Sequence, residues 1–172
     1  MRYFIAVDLP EKIKEKLKEI KFEEKTANVV MVSDFHLTLK FLGEIDKTKV
    51  EIVKKELSKI RIKPFKLKID KIGSFPKGKT FFKVIWIGVM PKRKIIDLIK
   101  RIDDALVTFF EREKRIKPHI TLARVKGVKN VTEFRKIFDL QIEGSFDVVK
   151  IKLIKSELTE KGARYEIIGE YQ

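Results

Sequence analysis

Histidine occurs twice in this chain, each time in the same frame: His36-Leu37-Thr38-Leu39 and His119-Ile120-Thr121-Leu122, 83 residues apart. Imidazole has an unperturbed pKa of about 6.5, so it can give or take a proton near neutrality. Two of them facing one reacting group supply both an acid and a base. Each is followed two residues on by a threonine hydroxyl. Alternate residues of a strand share a face, so His36 and Thr38 point one way while Leu37, Leu39 and Phe41 point into a core. In the second copy His119 and Thr121 share a face over buried Ile120 and Leu122.

The elements that must position these residues also recur. Ile5-Ala6-Val7-Asp8-Leu9-Pro10 is a strand-like run stopped by proline, followed by Ile13, Leu17 and Ile20 at helical spacing. Ile85 to Pro91 repeats the pattern, followed by Ile95, Ile99, Ile102, Leu106 and Phe109. A short amphipathic helix comes after each tetrad, marked by Val50, Val53, Leu57 and Ile60 and by Phe134, Ile137 and Phe138. Alternating strands come next: Phe65, Leu67 and Ile69 between lysines, then Val149, Ile151 and Leu153 between Lys150, Lys152 and Lys155. Closing strands over Thr80–Val89 and Arg164–Tyr171 align Ile87-Gly88 with Ile168-Gly169. The pattern predicts an α+β fold of two pseudo-symmetric lobes, each an antiparallel sheet with helices on its outer face. A central cleft lies between the sheets. One domain of 1–172 is expected, with an internal duplication of roughly 1–83 and 84–172.

Composition narrows the partners. Forty Lys and Arg against 25 Asp and Glu give a net charge of +15, a field that attracts polyanions, RNA and DNA foremost. Part of the Lys/Glu enrichment resembles a thermophile's solvated surface. The absence of cysteine excludes disulfides and thiolate chemistry and predicts a soluble, cytoplasmic protein. No run has the apolar length of a transmembrane helix. The N-terminal run reads as a first strand, not a signal peptide. Asn130-Val131-Thr132 reads as a helix start.

Rival motifs fail on context. Gly73-Ser74-Phe75-Pro76-Lys77-Gly78-Lys79-Thr80 matches a phosphate-binding P-loop, which works only when a helix follows and offers its N-terminal amides. Here Phe81-Phe82-Lys83-Val84-Ile85-Trp86-Ile87 follows and reads as a strand, so a hairpin is expected. Neither histidine has a second ligand at i, i+4 spacing, so no metal is predicted. Asp34, two residues before His36, reads as an orienting or surface acid.

Paired His-x-Thr-x tetrads, one per half of a bilobal chain, resemble the signature of the 2H phosphoesterase superfamily. The flanking residues are similar to the RNA 2′,3′-cyclic phosphodiesterase family, whose members are also called 2′-5′ RNA ligases. Those residues are Phe4 to Pro10, His36 to Gly43, Pro118 to Arg124, Ser156-Glu157-Leu158, Gly162 and Tyr165. The likeness covers essentially the whole chain.

The resemblance implies hydrolysis of an RNA 3′-terminal 2′,3′-cyclic phosphate to a 2′-phosphate. His36 is then the proton donor and His119 the proton acceptor, a polarity that the near-symmetric halves do not fix on their own. Thr38 and Thr121 donate hydrogen bonds to phosphate oxygens, and no cofactor is required. An RNA 5′-hydroxyl in place of water would give 2′-5′ ligation, with tRNA fragments as the implied RNA and a monomer as the acting species. Arg124 falls where the family carries a basic residue that can bind phosphate. Strict alternation puts it on the opposite face from His119, so it must lie past a bulge, approach from the strand end, or act structurally. Lys40 has the parity of the cleft. Two alternatives are weighed against this function. A non-catalytic RNA-binding module would use the charge and Phe4, Phe41 and Phe75 as stacking surfaces, but it leaves the matched His-Thr pairs unexplained. A phosphodiesterase of small cyclic nucleotides shares the machinery and differs at the pocket rim.

Overall fold

A computed structural model describes residues 1–172. The elements run β1 (Arg2–Asp8), α1 (Glu11–Lys18), β2 (Ala27–Met31), β3 (His36–Gly43), α2 (Lys47–Leu57), β4 (Phe65–Phe75), β5 (Val84–Met90), α3 (Lys92–Leu106) and β6 (His119–Val128). They continue with α4 (Val131–Phe134), a 3-10 turn (Arg135–Asp139), β7 (Ser145–Val148), β8 (Ile151–Thr159) and β9 (Gly162–Tyr171). The strand-proline-helix pattern has a local cause. Pro10 and Pro91 sit at the N-caps of α1 and α3 with φ of −60° and −75°, where a missing N–H costs nothing and the fixed φ leads into the helix. α2 and α4 are capped instead by Asp46 and Asn130, whose side chains accept from the backbone N–H of Lys49 and Glu133. Asn130 is thus a helix start, as its sequence context implied.

Every strand pairs antiparallel, in the order β7-β4-β5-β6-β3-β1-β8-β9, with β2 beside β6. The sheet narrows between β3 and β6, which are joined through Leu37 opposite Ile120. That seam divides it into two lobes, β9-β8-β1-β3 and β7-β4-β5-β6, as the sequence pattern predicted. Ile5, Val7, Leu37 and Leu39 of one lobe and Ile85, Ile87, Ile120 and Leu122 of the other join α1, α2 and α3 in one core. The opposite face carries Phe4, Ala6 and Ile154 as a separate small cluster.

The lobes are woven from both ends of the chain. β4, which follows the first tetrad, pairs with β5 in the second lobe, and β8, which follows the second tetrad, pairs with β1 in the first. Several expected elements have different bounds. β5 begins at Val84 rather than Thr80, and residues 76–83 form the loop of a β4–β5 hairpin. A strand therefore follows the P-loop-like run, as expected. Val149 and Lys150 lie between two separate strands, β7 and β8, and Val149 is exposed. β2 had no pattern to mark it.

Two bulges correct the reading of strand parity. β1 pairs Ala6 with Thr38 but Ile5 with Lys40, so Leu39 is an extra residue and both Leu39 and Lys40 are buried. Phe41 is thereby turned out of the core, 70% exposed, and Lys40 is turned into it, the reverse of what strict alternation gives for both. The Lys40 ammonium is 2.6 Å from Asp103 Oδ1 on α3, in a pair exposed by only 2% and 3%. It also donates to the carbonyl of Glu111, while Asp103 Oδ2 accepts from the Glu113 N–H. One buried ion pair thus binds strand, helix and the loop that leads to His119.

Removing one partner of a buried pair leaves an uncompensated charge. Asp103→Ala should destabilise the fold by about 3–5 kcal/mol, measured as a lowered midpoint in denaturant unfolding.

Candidate active site

The four tetrad residues meet at the seam. With Leu37 opposite Ile120, antiparallel register sets His36 across from Thr121 and Thr38 across from His119. All four are half-buried while Leu37, Leu39, Ile120 and Leu122 beneath them are buried. In a regular ladder the diagonal neighbours of such a pair stand about 7–8 Å apart, so two imidazoles can flank a phosphate with a hydroxyl beside each.

A second bulge decides the position of Arg124. β5 pairs Trp86 with Thr121 but Ile85 with Ala123, making Leu122 the extra residue. Arg124 then lies opposite Val84, on the face of Trp86 and Thr121, with an exposed side chain. The bulge that alternation required is present, and Arg124 shares the tetrad face.

The two histidines have different neighbours. His36 Nε2 lies 3.3 Å from Asp34 Oδ2. Asp34 belongs to an ionic cluster: Lys14 bridges Asp34 and Asp8 at 2.9 Å each, and Lys152 reaches Asp8 at 2.7 Å. Burial opposes the charge on Asp8, but hydrogen bonds from Lys152 and Lys14 outweigh it and hold the carboxyl below its usual range. Burial likewise opposes the Lys14 ammonium, and Asp34 and Asp8 more than compensate, raising its pKa. Asp8, Asp34 and His36 have the donor types for a cation, yet both carboxylates are already neutralised by ammonium groups that a cation would have to displace. Two aromatic rings stand edge-on to His36, Tyr165 at 4.9 Å and Phe4 at 5.6 Å.

His119 has no acid beside it. Its Nδ1 is 2.5 Å from the Lys117 carbonyl oxygen. A carbonyl can only accept, so Nδ1 carries the proton and Nε2 keeps its lone pair in the neutral ring. Phe75 stands edge-on at 4.9 Å and Trp86 lies tilted at 6.1 Å. Trp86 lies over Gly73, where any Cβ would run into the indole. The Lys117 ammonium sits 5.8 Å above the Phe75 ring. Burial lowers the pKa of both histidines; Asp34 is the largest influence opposing it at His36, and the Lys117 carbonyl opposes it at His119.

A family model described as LigT-like phosphoesterase matches residues 7–86, which hold the first tetrad. Over nearly its whole length the chain is similar to the RNA 2′,3′-cyclic phosphodiesterase of Methanocaldococcus jannaschii, 38% identical across 99% of this chain and 100% of the relative. The chain belongs to the LigT-like phosphoesterase family. A relative from Archaeoglobus fulgidus with the same name is 33% identical over 96% of this chain and 97% of its own. Escherichia coli LigT in its apo form has the same fold, with a TM-score of 0.76 at 27% identity, covering 98% of this chain and 95% of that one. LigT complexed with 3′-AMP aligns equally well.

Within this LigT-like site the two histidines, the two threonines and Arg124, all singled out in the sequence, lie on one face of the seam. Asp8, Lys14, Lys152 and Lys117 have no functional part in the sequence reading; Tyr165 enters it only through the family resemblance, and Phe75 only as a stacking surface for RNA. Asp8, opposite His36 in the β1–β3 register, was the one with a signal, since an acid interrupts an otherwise apolar strand.

The two imidazoles should titrate by NMR below the ordinary value of about 6.5. Asp34→Asn should lower the His36 midpoint further and leave His119 unmoved. A His36 midpoint unchanged by that substitution would show that Asp34 does not act on the ring.

Proposed function

We propose that this chain is an RNA 2′,3′-cyclic phosphodiesterase that opens a 3′-terminal cyclic phosphate to a 2′-phosphate. The observation that supports it best is the pair of unlike histidines on one face of the seam, one offering a lone pair and the other standing beside a carboxylate. The names of the near-full-length relatives in Methanocaldococcus and Archaeoglobus agree with this reading.

In this reading His119 is the base. Its Nδ1–H is held by the Lys117 carbonyl, which leaves Nε2 to take a proton from water. The water oxygen bonds to phosphorus as the bond from phosphorus to the ribose 3′ oxygen breaks. His36 is the acid and gives its proton to that leaving oxygen. Asp34 favours the imidazolium at His36 and no carboxylate does so at His119, which gives the protons a direction that the matched His-Thr pairs lack. The arriving phosphate is itself negative and offsets part of the burial that disfavours a charged ring. Thr38 and Thr121 donate to the non-bridging oxygens, where negative charge grows in the transition state. Arg124, on the same face, adds a charged donor for phosphate.

The substrate is RNA bearing such an end, with tRNA fragments as the RNA the family likeness implies, and ligation arises when a 5′-hydroxyl replaces water. The chain acts as a cytoplasmic monomer, a single domain whose halves of roughly 1–83 and 84–172 are copies of one unit. No helix is long and apolar enough to cross a membrane.

His36→Ala and His119→Ala should each reduce turnover of a nucleoside 2′,3′-cyclic phosphate by about 10²–10⁴-fold. Replacing the 3′ bridging oxygen by sulfur gives a leaving group that needs no acid. It should rescue His36→Ala and not His119→Ala; rescue of the other variant would reverse the assigned roles. Product analysis should find 2′-phosphate, and exclusive 3′-phosphate would mean the opposite bond breaks. Turnover requires neutral His119 with protonated His36. Both pKa values are lowered, so the maximum of kcat/KM should lie on the acid side of about pH 6.5.

A further inference from the structure

The tetrads obey a local two-fold relation, and the cleft around them does not. Leu39 and Leu122 are matching bulges, so the residues they turn onto the tetrad face, Phe41 and Arg124, occupy equivalent places in the two lobes. β3 and β6 run in opposite directions, which puts these two at opposite ends of the site. One end of the cleft therefore presents a cation and the other an exposed aromatic ring.

The aromatic end opens into a cavity of about 640 Å³ between β3 and the loop joining α3 to β6. That volume is within the roughly 300–1,000 Å³ typical of small-molecule sites. Phe41 and Phe110 are its apolar walls; Arg112, Lys114 and Arg115 line it on the loop side with Glu111 and Glu113. Arg112 is paired with Asp104, and Lys40 with Asp103 and more distantly Glu113. Lys114 and Arg115 form no ion pair and are left to meet an anion from outside. The loop is held in place from below, since Lys40 and Asp103 grip the backbone at Glu111 and Glu113. A chain of rings links the cavity wall to the first tetrad: Phe41 lies 6.1 Å from Phe4, and Phe4 lies 5.6 Å from His36.

We propose that this groove is a second nucleotide subsite, taking the nucleotide immediately 5′ to the one that bears the cyclic phosphate. Its base lies against Phe41, a ring whose π-face accepts any base, and the phosphate chain passes Lys114 and Arg115. A polar cleft of this kind suits a ligand with a direction, such as the end of an RNA strand, better than a free mononucleotide. The inference rests on the phosphodiesterase reading and adds a length preference that this reading does not contain.

The test compares a nucleoside 2′,3′-cyclic phosphate with a dinucleotide ending in the same group. Stacking of one base on an aromatic ring corresponds to roughly 5- to 150-fold, so the dinucleotide should have the higher kcat/KM by a factor in that range. Phe41→Ala should abolish most of this advantage while the mononucleotide rate stays at the parent level, and Phe41→Tyr should keep it. Lys114→Ala with Arg115→Ala should reduce the advantage and flatten its salt dependence. Equal rates for the two substrates in the parent protein would overturn the subsite, as would a Phe41→Ala variant that slows both alike. Failure to turn over either substrate would overturn the phosphodiesterase reading itself, and the subsite with it.

Discussion

The site depends on the seam between β3 and β6. Leu37 and Ile120 face each other there at zero exposure, and nothing else in the sheet brings the two tetrads together. Because side chains alternate along a strand, burying this apolar pair obliges the histidines and threonines on either side to stand on the open face. A shift of one residue in register would turn the imidazoles into the core and the leucines out. The same alternation that keeps the core dry thus fixes the chemistry above it.

Near-equal scaffolds then acquire unequal surroundings. At His36 the aromatic rings of Phe4 and Tyr165 share the space with an ionic group, Asp34, Asp8, Lys14 and Lys152, drawn from the turn before β3, β1, α1 and β8. At His119 the position equivalent to Asp8 is Gly88, opposite His119 in the β5–β6 register, and the neighbours are Phe75, Trp86 and a backbone carbonyl. A carboxylate favours the charged ring, and burial without one favours the neutral ring. Two tetrads with the same histidine and threonine can therefore hold opposite ends of one proton transfer.

What could be read from the sequence was whatever depends on local periodicity. The strand-proline-helix starts, the helical spacing of Ile13 and Leu17 or of Ile95, Ile99, Ile102 and Leu106, and the His-Thr faces all follow from positions a few residues apart. The wet face of β4, with exposed Lys66 and Lys68 flanking buried Leu67, was legible for the same reason. Alternation misled wherever a bulge intervened. Lys40 and Phe41 exchanged faces at Leu39, while Arg124 needed the bulge at Leu122 to reach the cleft. A bulge is fixed by the partner strand's pairing, which the bulged strand's own sequence does not display. Tyr165 and Lys152 were hidden by distance along the chain: each reaches the first tetrad only because β8 pairs with β1.

That pairing also sets an order of assembly. β1 carries Phe4 and Asp8 and is made first, yet its outer neighbour, β8, lies at the far end of the chain. During synthesis the lobe around β4, β5 and β6 can gather its strands while the lobe that holds His36 still lacks its edge. Contacts of such long sequence separation carry a large loop-closure entropy and form slowly. Through that interval β1 has one side of its backbone unpaired, the kind of edge on which growing chains aggregate. The lobe begun first is the last to close, and its histidine acquires Tyr165 and Lys152 as neighbours only when the last two strands are in place.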